Sequence, residues 1–352
     1  MLRALILVFA AILTALAVVI GWNWWRHIRL HGVKSPIEFV SADQTTLHGD
    51  IYLPQASGPF PAIVILLGSG RDAPQMIDYQ VHANAFLKKN VAVLMYDKRG
   101  LGRSEGDFET ASYANFVEDG LHAVKALRTR PEIDSDKIGL FGFSEGGWFT
   151  PEIAVRDGGI KYIINRAGSP FAGGETYLWE IRNELIDGGF TDEAIIEKIL
   201  DLRVRIWNYY RDAAEAEDPL QTRRNELEAE LEALDGPWRE FYAMGIAEYD
   251  VEKYRRWLID IDYDPNPYLQ QMTSPLYAIF AGNDQNTPTA HSVAALEALR
   301  VATQLDVTIK IYPERRHSFF KWYNVFTYFH PADYMDSIGN WAAERSKELD
   351  SQ

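Results

Sequence analysis

Apolar residues along this chain follow three rhythms. The first is alternation. Residues 37–40, a polar turn at 41–44 and residues 47–53 alternate as a β-hairpin does. The second is a set of short, almost unbroken apolar runs at 62–67, 91–96, 137–143, 162–165, 276–281 and 308–312. Runs of that length with no polar side predict strands covered on both faces, as in a parallel sheet. Helical periodicity fills the spaces between them, at 76–89, 113–128, 146–156, 289–300 and 331–347. Strand–helix alternation of this kind predicts a doubly wound α/β fold with right-handed crossovers.

The third rhythm is continuous. Residues 4–21 carry no charge, and eighteen residues at about 1.5 Å each reach roughly the hydrocarbon thickness of a bilayer. Trp22, Trp24 and Trp25 follow, the placement of an interfacial aromatic belt, and Arg26, His27 and Arg29 end the run. Two expectations compete for residues 1–25: a cleaved signal peptide, with Ala15-Leu16-Ala17 as its site, or an uncleaved signal anchor. The run continues past Ala17, which favours the anchor. Either way the body is expected to be exported, to a bacterial periplasm or cell envelope. Positive charges flank both ends, so the positive-inside rule leaves orientation open.

One stretch breaks the strand–helix alternation. Residues 175–271 are helical in pattern and hold 24 acids against 11 bases, most of the chain's excess negative charge. They also hold Trp179, Trp207, Tyr209, Tyr210, Trp238, Phe241, Tyr242, Tyr249, Tyr254 and Trp257. The expectation is a helical cap inserted between two strands. The division is then 1–25, a first core part at 35–174, the cap at 175–271 and a second core part at 272–348. The acidic run 226–232 reads as a solvated helix face. The aromatics either line an apolar pocket or form the cap's own core, and for any one of them the core is the better reading.

Charge and composition narrow the function. With 35 Lys and Arg against 50 Asp and Glu the formal charge is −15, and no basic stripe is visible, which argues against nucleic acid as a partner. The chain has no cysteine. Disulfides, a thiol nucleophile, a zinc–thiolate or iron–sulfur site and a lipid-modified cysteine are therefore excluded. Nothing in the sequence sets the oligomeric state.

The chemistry concentrates at Gly142-Phe143-Ser144-Glu145-Gly146, which closes an apolar strand and opens a helical pattern. This is a G-x-S-x-G nucleophile elbow in strand–turn–helix context. A serine hydroxyl needs a base, and the base an orienting carboxylate. Asp284 lies in the turn after the run at 276–281, where sites form in open α/β sheets. His317 lies after the run at 308–312 and is the only histidine in a strand-end loop downstream of Asp284. Asp262 and Asp264 are weaker acids for the role because no sheet strand precedes them. His27, His31, His48, His82, His122, His291 and His330 read as surface or structural. An oxyanion hole needs two backbone N–H donors, expected from Glu145 and from Ser69 in the loop 68–70.

These residues resemble the α/β-hydrolase superfamily, specifically bacterial esterases and prolyl-oligopeptidase-like serine hydrolases, over about 35–347. Residues 61–70 are similar to the family's oxyanion strand and loop, 96–106 to the loop after the next strand, and 142–147 to its elbow, with Asp284 and His317 at the positions of acid and base. Leu67 departs from the family, where many relatives carry a histidine. The resemblance implies that the loop 96–106 is structural, braced by Asp97 and Arg99. It implies a Ser144–His317–Asp284 triad acting through an acyl-enzyme on small carboxylic esters, with neither metal nor organic cofactor. An aminopeptidase-like serine peptidase is the alternative, in which acidic cap residues hold a substrate ammonium group. The third reading is a non-catalytic, membrane-tethered binding protein on the same scaffold. A dehalogenase or epoxide hydrolase is disfavoured, because such relatives carry aspartate where this chain has Ser144.

Overall fold

A computed structural model of the protein describes residues 2–215, 221–233, 261–319 and 330–347. Its strands are β1 (Val33–Val40), β2 (Thr46–Leu53), β3 (Phe60–Leu66), β4 (Ala92–Tyr96), β5 (Ile133–Phe143), β6 (Ile163–Arg166), β7 (Leu276–Ala281) and β8 (Val307–Tyr312). They form one eight-stranded sheet in the order β1-β2-β4-β3-β5-β6-β7-β8. β1 and β2 pair antiparallel with each other, and β2 antiparallel with β4. The pairs from β4 onward through β3, β5, β6 and β7 to β8 are parallel.

Position in the sheet explains the two strand rhythms. Every residue of the inner strands β4 and β7 is buried, so neither face tolerates a polar side chain. The edge strands β1 and β8 expose several of their residues, and there polar side chains alternate in. β1 and β5 begin four residues earlier than the pattern predicts. β1 starts at Val33 because it pairs along all of β2, Val33 opposite Leu53. β5 starts at Ile133, opposite Phe60, with a register shift before Ala62; the polar stretch Asp134-Ser135-Asp136-Lys137 hides it in the sequence.

Helices cover both faces. α2 (Ile77–Leu87) and the C-terminal helix lie on one face. α3 (Tyr113–Arg128), α4 (Glu145–Asp157) and the helix after β7 lie on the other. α3 opens with a capping box in which Ser112 and Asn115 satisfy each other's backbone N–H groups. Between β6 and β7 come α5 (Gly173–Asp187), α6 (Glu193–Glu215), α7 (Gln221–Ala233) and the short α8 (Asn266–Leu269), followed by α9 (Thr289–Thr303) and α10 (Ala332–Lys347). Helices α5 to α7 bury a core of their own around Leu185, Ile199, Ile206, Trp207 and Tyr210. Trp207, Tyr209 and Tyr210 belong to that core, whereas Trp238, Phe241, Tyr242, Tyr249, Tyr254 and Trp257 lie outside the described residues. In the acidic run on α7, Leu227 is buried and Glu230 pairs with Arg205 at 2.6 Å.

The N-terminal run forms α1 (Leu2–Asn23), which continues without a break into a π-helical turn, Trp24–Ile28. Residues Leu5–Trp22 are long and apolar enough to cross a membrane, and none of that stretch is buried in the body.

Candidate active site

Ser144 stands between β5 and α4 with φ 50° and ψ −117°, a region that costs a non-glycine residue about 1–3 kcal/mol. Two backbone bonds hold it there: its N–H donates to the Arg166 carbonyl at 2.9 Å, and its carbonyl accepts from Gly147 N–H at 2.8 Å. The turn is tight because α4 descends directly onto the end of β3. A Cβ at Gly146 would lie 2.3 Å from the Leu66 carbonyl oxygen. One at Gly147 would lie 2.3 Å from Asn165 Oδ1. Only glycine fits at either position.

Ser144, Asp284 and His317 come from three separate strand ends and meet in one chain of hydrogen bonds. Ser144 Oγ lies 3.0 Å from His317 Nε2. His317 Nδ1 lies 2.9 and 3.0 Å from the two Asp284 oxygens. In the tautomer this network requires, Nδ1–H donates to the carboxylate and Nε2 accepts from the serine hydroxyl. The Asp284 side chain is fully buried. Its Oδ1 accepts the N–H groups of Asn286 and Thr287 at 2.9 and 3.0 Å, which fixes the carboxylate's direction. The loops carrying acid and base are tied together by Gly282 N–H to Tyr312 O and Asn283 N–H to Arg315 O, both 2.9 Å.

The serine and histidine open into a cavity of about 130 Å³. Ser69, Glu145, Trp148, Thr176, Tyr177 and Glu180 are among its lining residues. Buried Lys98 braces the Ser69 loop: its Nζ donates to the Gly68 carbonyl, to the Gly70 carbonyl at 3.2 Å and to Glu145 Oε1 at 3.4 Å. Tyr79 accepts the Gly68 N–H at 2.8 Å and donates to Asp72. In the neighbouring loop, Arg99 binds Asp119 through two nitrogens at 2.8 and 2.6 Å, and Asp97 accepts from Arg103 at 3.1 Å.

Glu180 is a half-buried carboxylate on α5 facing this cavity, and among the described residues its hydrogen bond comes from Asn286 rather than from a cation. Burial, and then the nearby Glu184, raise its pKa above the ordinary glutamate value; the Asn286 bond works the other way.

Behind His317 lies a buried charged cluster. Arg166, with no solvent exposure, donates to the carbonyls of His317 at 3.3 Å and Ser318 at 2.5 Å, and to Asp78 Oδ2 at 2.9 Å. Asp78 also contacts His330, and His82 bonds Tyr334 at 2.7 Å. Asp78, His82 and His330 are the residue types of a metal site and lie close enough together for one. Arg166 Nη1, 2.9 Å from Asp78 and 3.4 Å from His82, already stands where a cation would sit. The weaker acids of the sequence are engaged elsewhere: Asp262 pairs with Arg211 at 2.6 Å, and Asp264 accepts the Asn266 N–H at 2.9 Å. His291 lies against the Trp179 ring.

Sequence reasoning passed over Lys98, Arg166, Asp78, Glu180 and Asn286. For two of these a signal existed. Arg166 is a charge closing the buried strand Ile163-Ile164-Asn165-Arg166, and Lys98 lies two residues past the apolar run 91–96. Glu180 had no such mark among the acids of its helices.

The sequence profile of the X-Pro dipeptidyl-peptidase (S15) family matches residues 43–311. The esterase EstD of Thermotoga maritima is 34% identical over 131 residues, 34% of this chain and 31% of EstD. The thiohydrolase aneE of Aspergillus aculeatus is 33% identical over 132 residues, 37% of this chain and 40% of aneE. The chain thus spans less than half the length of these curated relatives. Among solved structures, the esterase Pf2001 of Pyrococcus furiosus superposes with a TM-score of 0.57 at 14% identity, covering 89% of this chain and 91% of the esterase. The α/β-hydrolase GrgF from Penicillium gives 0.54 at 19% identity, covering 90% and 98%. At these identities the likeness is one of fold.

Proposed function

The chain belongs to the X-Pro dipeptidyl-peptidase (S15) family and is a serine hydrolase of the α/β-hydrolase type; from that premise we propose that Ser144, His317 and Asp284 are its catalytic triad and small carboxylic esters its substrates. The observation carrying the proposal is the unbroken hydrogen-bond chain from the Ser144 hydroxyl through His317 to buried Asp284, at the mouth of a cavity.

The chemistry follows from the geometry. His317 Nε2 takes the hydroxyl proton as Ser144 Oγ attacks the ester carbonyl. Asp284 holds the ring tautomer and stabilises the imidazolium that forms. The developing oxyanion lies toward the backbone N–H groups of Ser69 and Glu145. His317 then returns the proton to the departing alcohol, leaving an acyl-serine. Water, deprotonated by His317, repeats the attack and frees the acid. Every proton is held and moved by residues of this chain.

Glu180 favours a second reading. A carboxylate facing the cavity, with no cationic hydrogen-bond partner among the described residues, suits the ammonium group of an aminopeptidase substrate. The ester reading ranks first because it needs only the hydrogen-bond chain. We further propose that residues 175–271 act as a cap over the site. We also propose that α1 anchors the protein in a membrane, with the body in a bacterial periplasm or cell envelope.

The deciding experiment is hydrolysis of short- and medium-chain p-nitrophenyl esters beside an aminoacyl-anilide, with Ser144→Ala in parallel. Ester turnover that vanishes in the variant supports the esterase. Anilide turnover without ester turnover replaces it with the peptidase. A folded protein inert to all of these and to a fluorophosphonate sinks the triad.

A further inference from the structure

The chain enters its body at the edge of the sheet opposite the candidate catalytic residues. Ser69, Ser144, Asp284 and His317 follow the carboxyl ends of β3, β5, β7 and β8. α2 runs from the carboxyl end of β3 back to the amino end of β4, a strand parallel to β3, so its last turns lie at the amino edge. The joint from α1 is built there.

That joint has no slack. Ile28 is 6% exposed and shares an apolar cluster with Phe86 and Leu87 of α2. The Asn84 side chain donates to the carbonyls of Ile28 at 3.4 Å and Arg29 at 2.9 Å, and accepts the His31 N–H at 3.1 Å. Arg29 N–H closes the π-turn on the Trp24 carbonyl at 2.9 Å. At Gly32 a Cβ would already press on Tyr52 Cβ at 3.0 Å and Leu87 Cδ2 at 3.1 Å. β1 begins immediately afterwards at Val33, beside Leu53, and Tyr52 pairs with Val93 near the amino end of β4.

The membrane-facing residues adjoin this joint. Trp22, Trp24 and Trp25 are about half exposed, and Trp22 stacks on Trp25 with centroids 5.5 Å apart. Trp25 also meets His31 edge-on at 5.8 Å. Exposed indoles at the end of an apolar helix mark the headgroup level. The belt is separated from buried Ile28 by only part of one helical turn. Strands of five or six residues, at about 3.3 Å each, then place the site roughly 15–20 Å further out.

We infer that the body rests on the bilayer by the amino edge of its sheet, in a fixed orientation, with the catalytic cavity opening away from the membrane. Resting on the anchor and esterase readings, this names the substrate's source: a water-soluble ester arriving from the aqueous side, not an acyl ester resident in the bilayer.

The absence of cysteine makes the orientation directly measurable. Ser57→Cys, in the exposed loop between β2 and β3, labels the amino edge, and Glu314→Cys, in the exposed loop after β8, labels the site edge. Each full-length variant is placed in phosphatidylcholine–phosphatidylglycerol vesicles, carries a fluorophore and meets a headgroup-attached quencher. Strong quenching at 57 with little at 314 is the expected result. Equal quenching, or stronger quenching at 314, overturns the orientation. The wild-type chain in the same vesicles should cleave a soluble p-nitrophenyl butyrate and leave a vesicle-resident fluorogenic phospholipid ester intact. Comparable rates on the two overturn the substrate assignment. Orientation is read without turnover, so the expected quenching in a chain that cleaves no ester supports the orientation and sinks only the esterase reading. A chain that fails to float with vesicles overturns the anchor reading and this inference together.

Discussion

Arg166 braces the candidate triad from behind. Its guanidinium holds the carbonyls of His317 and Ser318, and its own carbonyl receives the Ser144 N–H. Fully buried, it is compensated by Asp78. Breaking such a pair from one side strands a charge and costs about 3–5 kcal/mol. Asp78→Ala should lose about that much in urea unfolding, and a loss below the scatter of the measurement would remove the pair from the account. The same cluster sets an acid limit. Burial, outweighing the pull of Asp78, drives the His82 pKa down to about 3. Asp78 meets a burial penalty, but Arg166, His82 and His330 together hold it well below the ordinary carboxylate value. His330, also chiefly through burial, titrates low as well. All three groups bind protons more weakly folded than unfolded, so stability is complete above the usual histidine value of 6.5 and is lost as pH falls from there toward about 3. A urea midpoint that stays level from pH 7 to pH 4 would contradict this.

At the scale of elements, the site depends on where β3 ends and α4 begins. Gly146 lets the two meet, and a methyl group there would collide with the Leu66 carbonyl. Gly146→Ala should therefore displace Glu145 and its N–H and reduce kcat by about 10²–10³, the usual cost of one oxyanion donor. Circular dichroism on the same sample separates this from unfolding. Lys98 acts on the facing loop through the carbonyls of Gly68 and Gly70. Lys98→Met should lower kcat with KM little changed, because the proposed oxyanion donor on that loop, Ser69 N–H, would serve the transition state more than the ground state. A change confined to KM would instead make Lys98 part of substrate binding. On α5, Glu180→Gln should raise KM for a cationic aminoacyl-anilide and leave a neutral ester unaffected. Equal effects on both would remove the ammonium role.

At the scale of the molecule, the end of α1 is held to the body by the Asn84 hydrogen bonds and by Ile28 packed against Phe86 and Leu87. Removing residues 1–23 should abolish vesicle flotation and leave turnover of a soluble ester unchanged; a matching fall in turnover would show that the helix supports the site itself. The sequence by itself determined the parallel sheet, because inner strands need apolar residues on both faces and so write unbroken runs, as β4 and β7 do. It also determined the elbow, because only glycine fits at 142, 146 and 147, and a bilayer-length helix at the N-terminus. It singled out Asp284 and His317 by their places at strand ends. Tertiary structure decided what no local pattern encodes. It buried Arg166 and Lys98, two cations whose partners lie on other elements. It turned Glu180, one acid among many in its helices, into the cavity. It seated the end of α1 at the sheet edge opposite the candidate triad, a relation between segments far apart in the chain and fixed only when they pack.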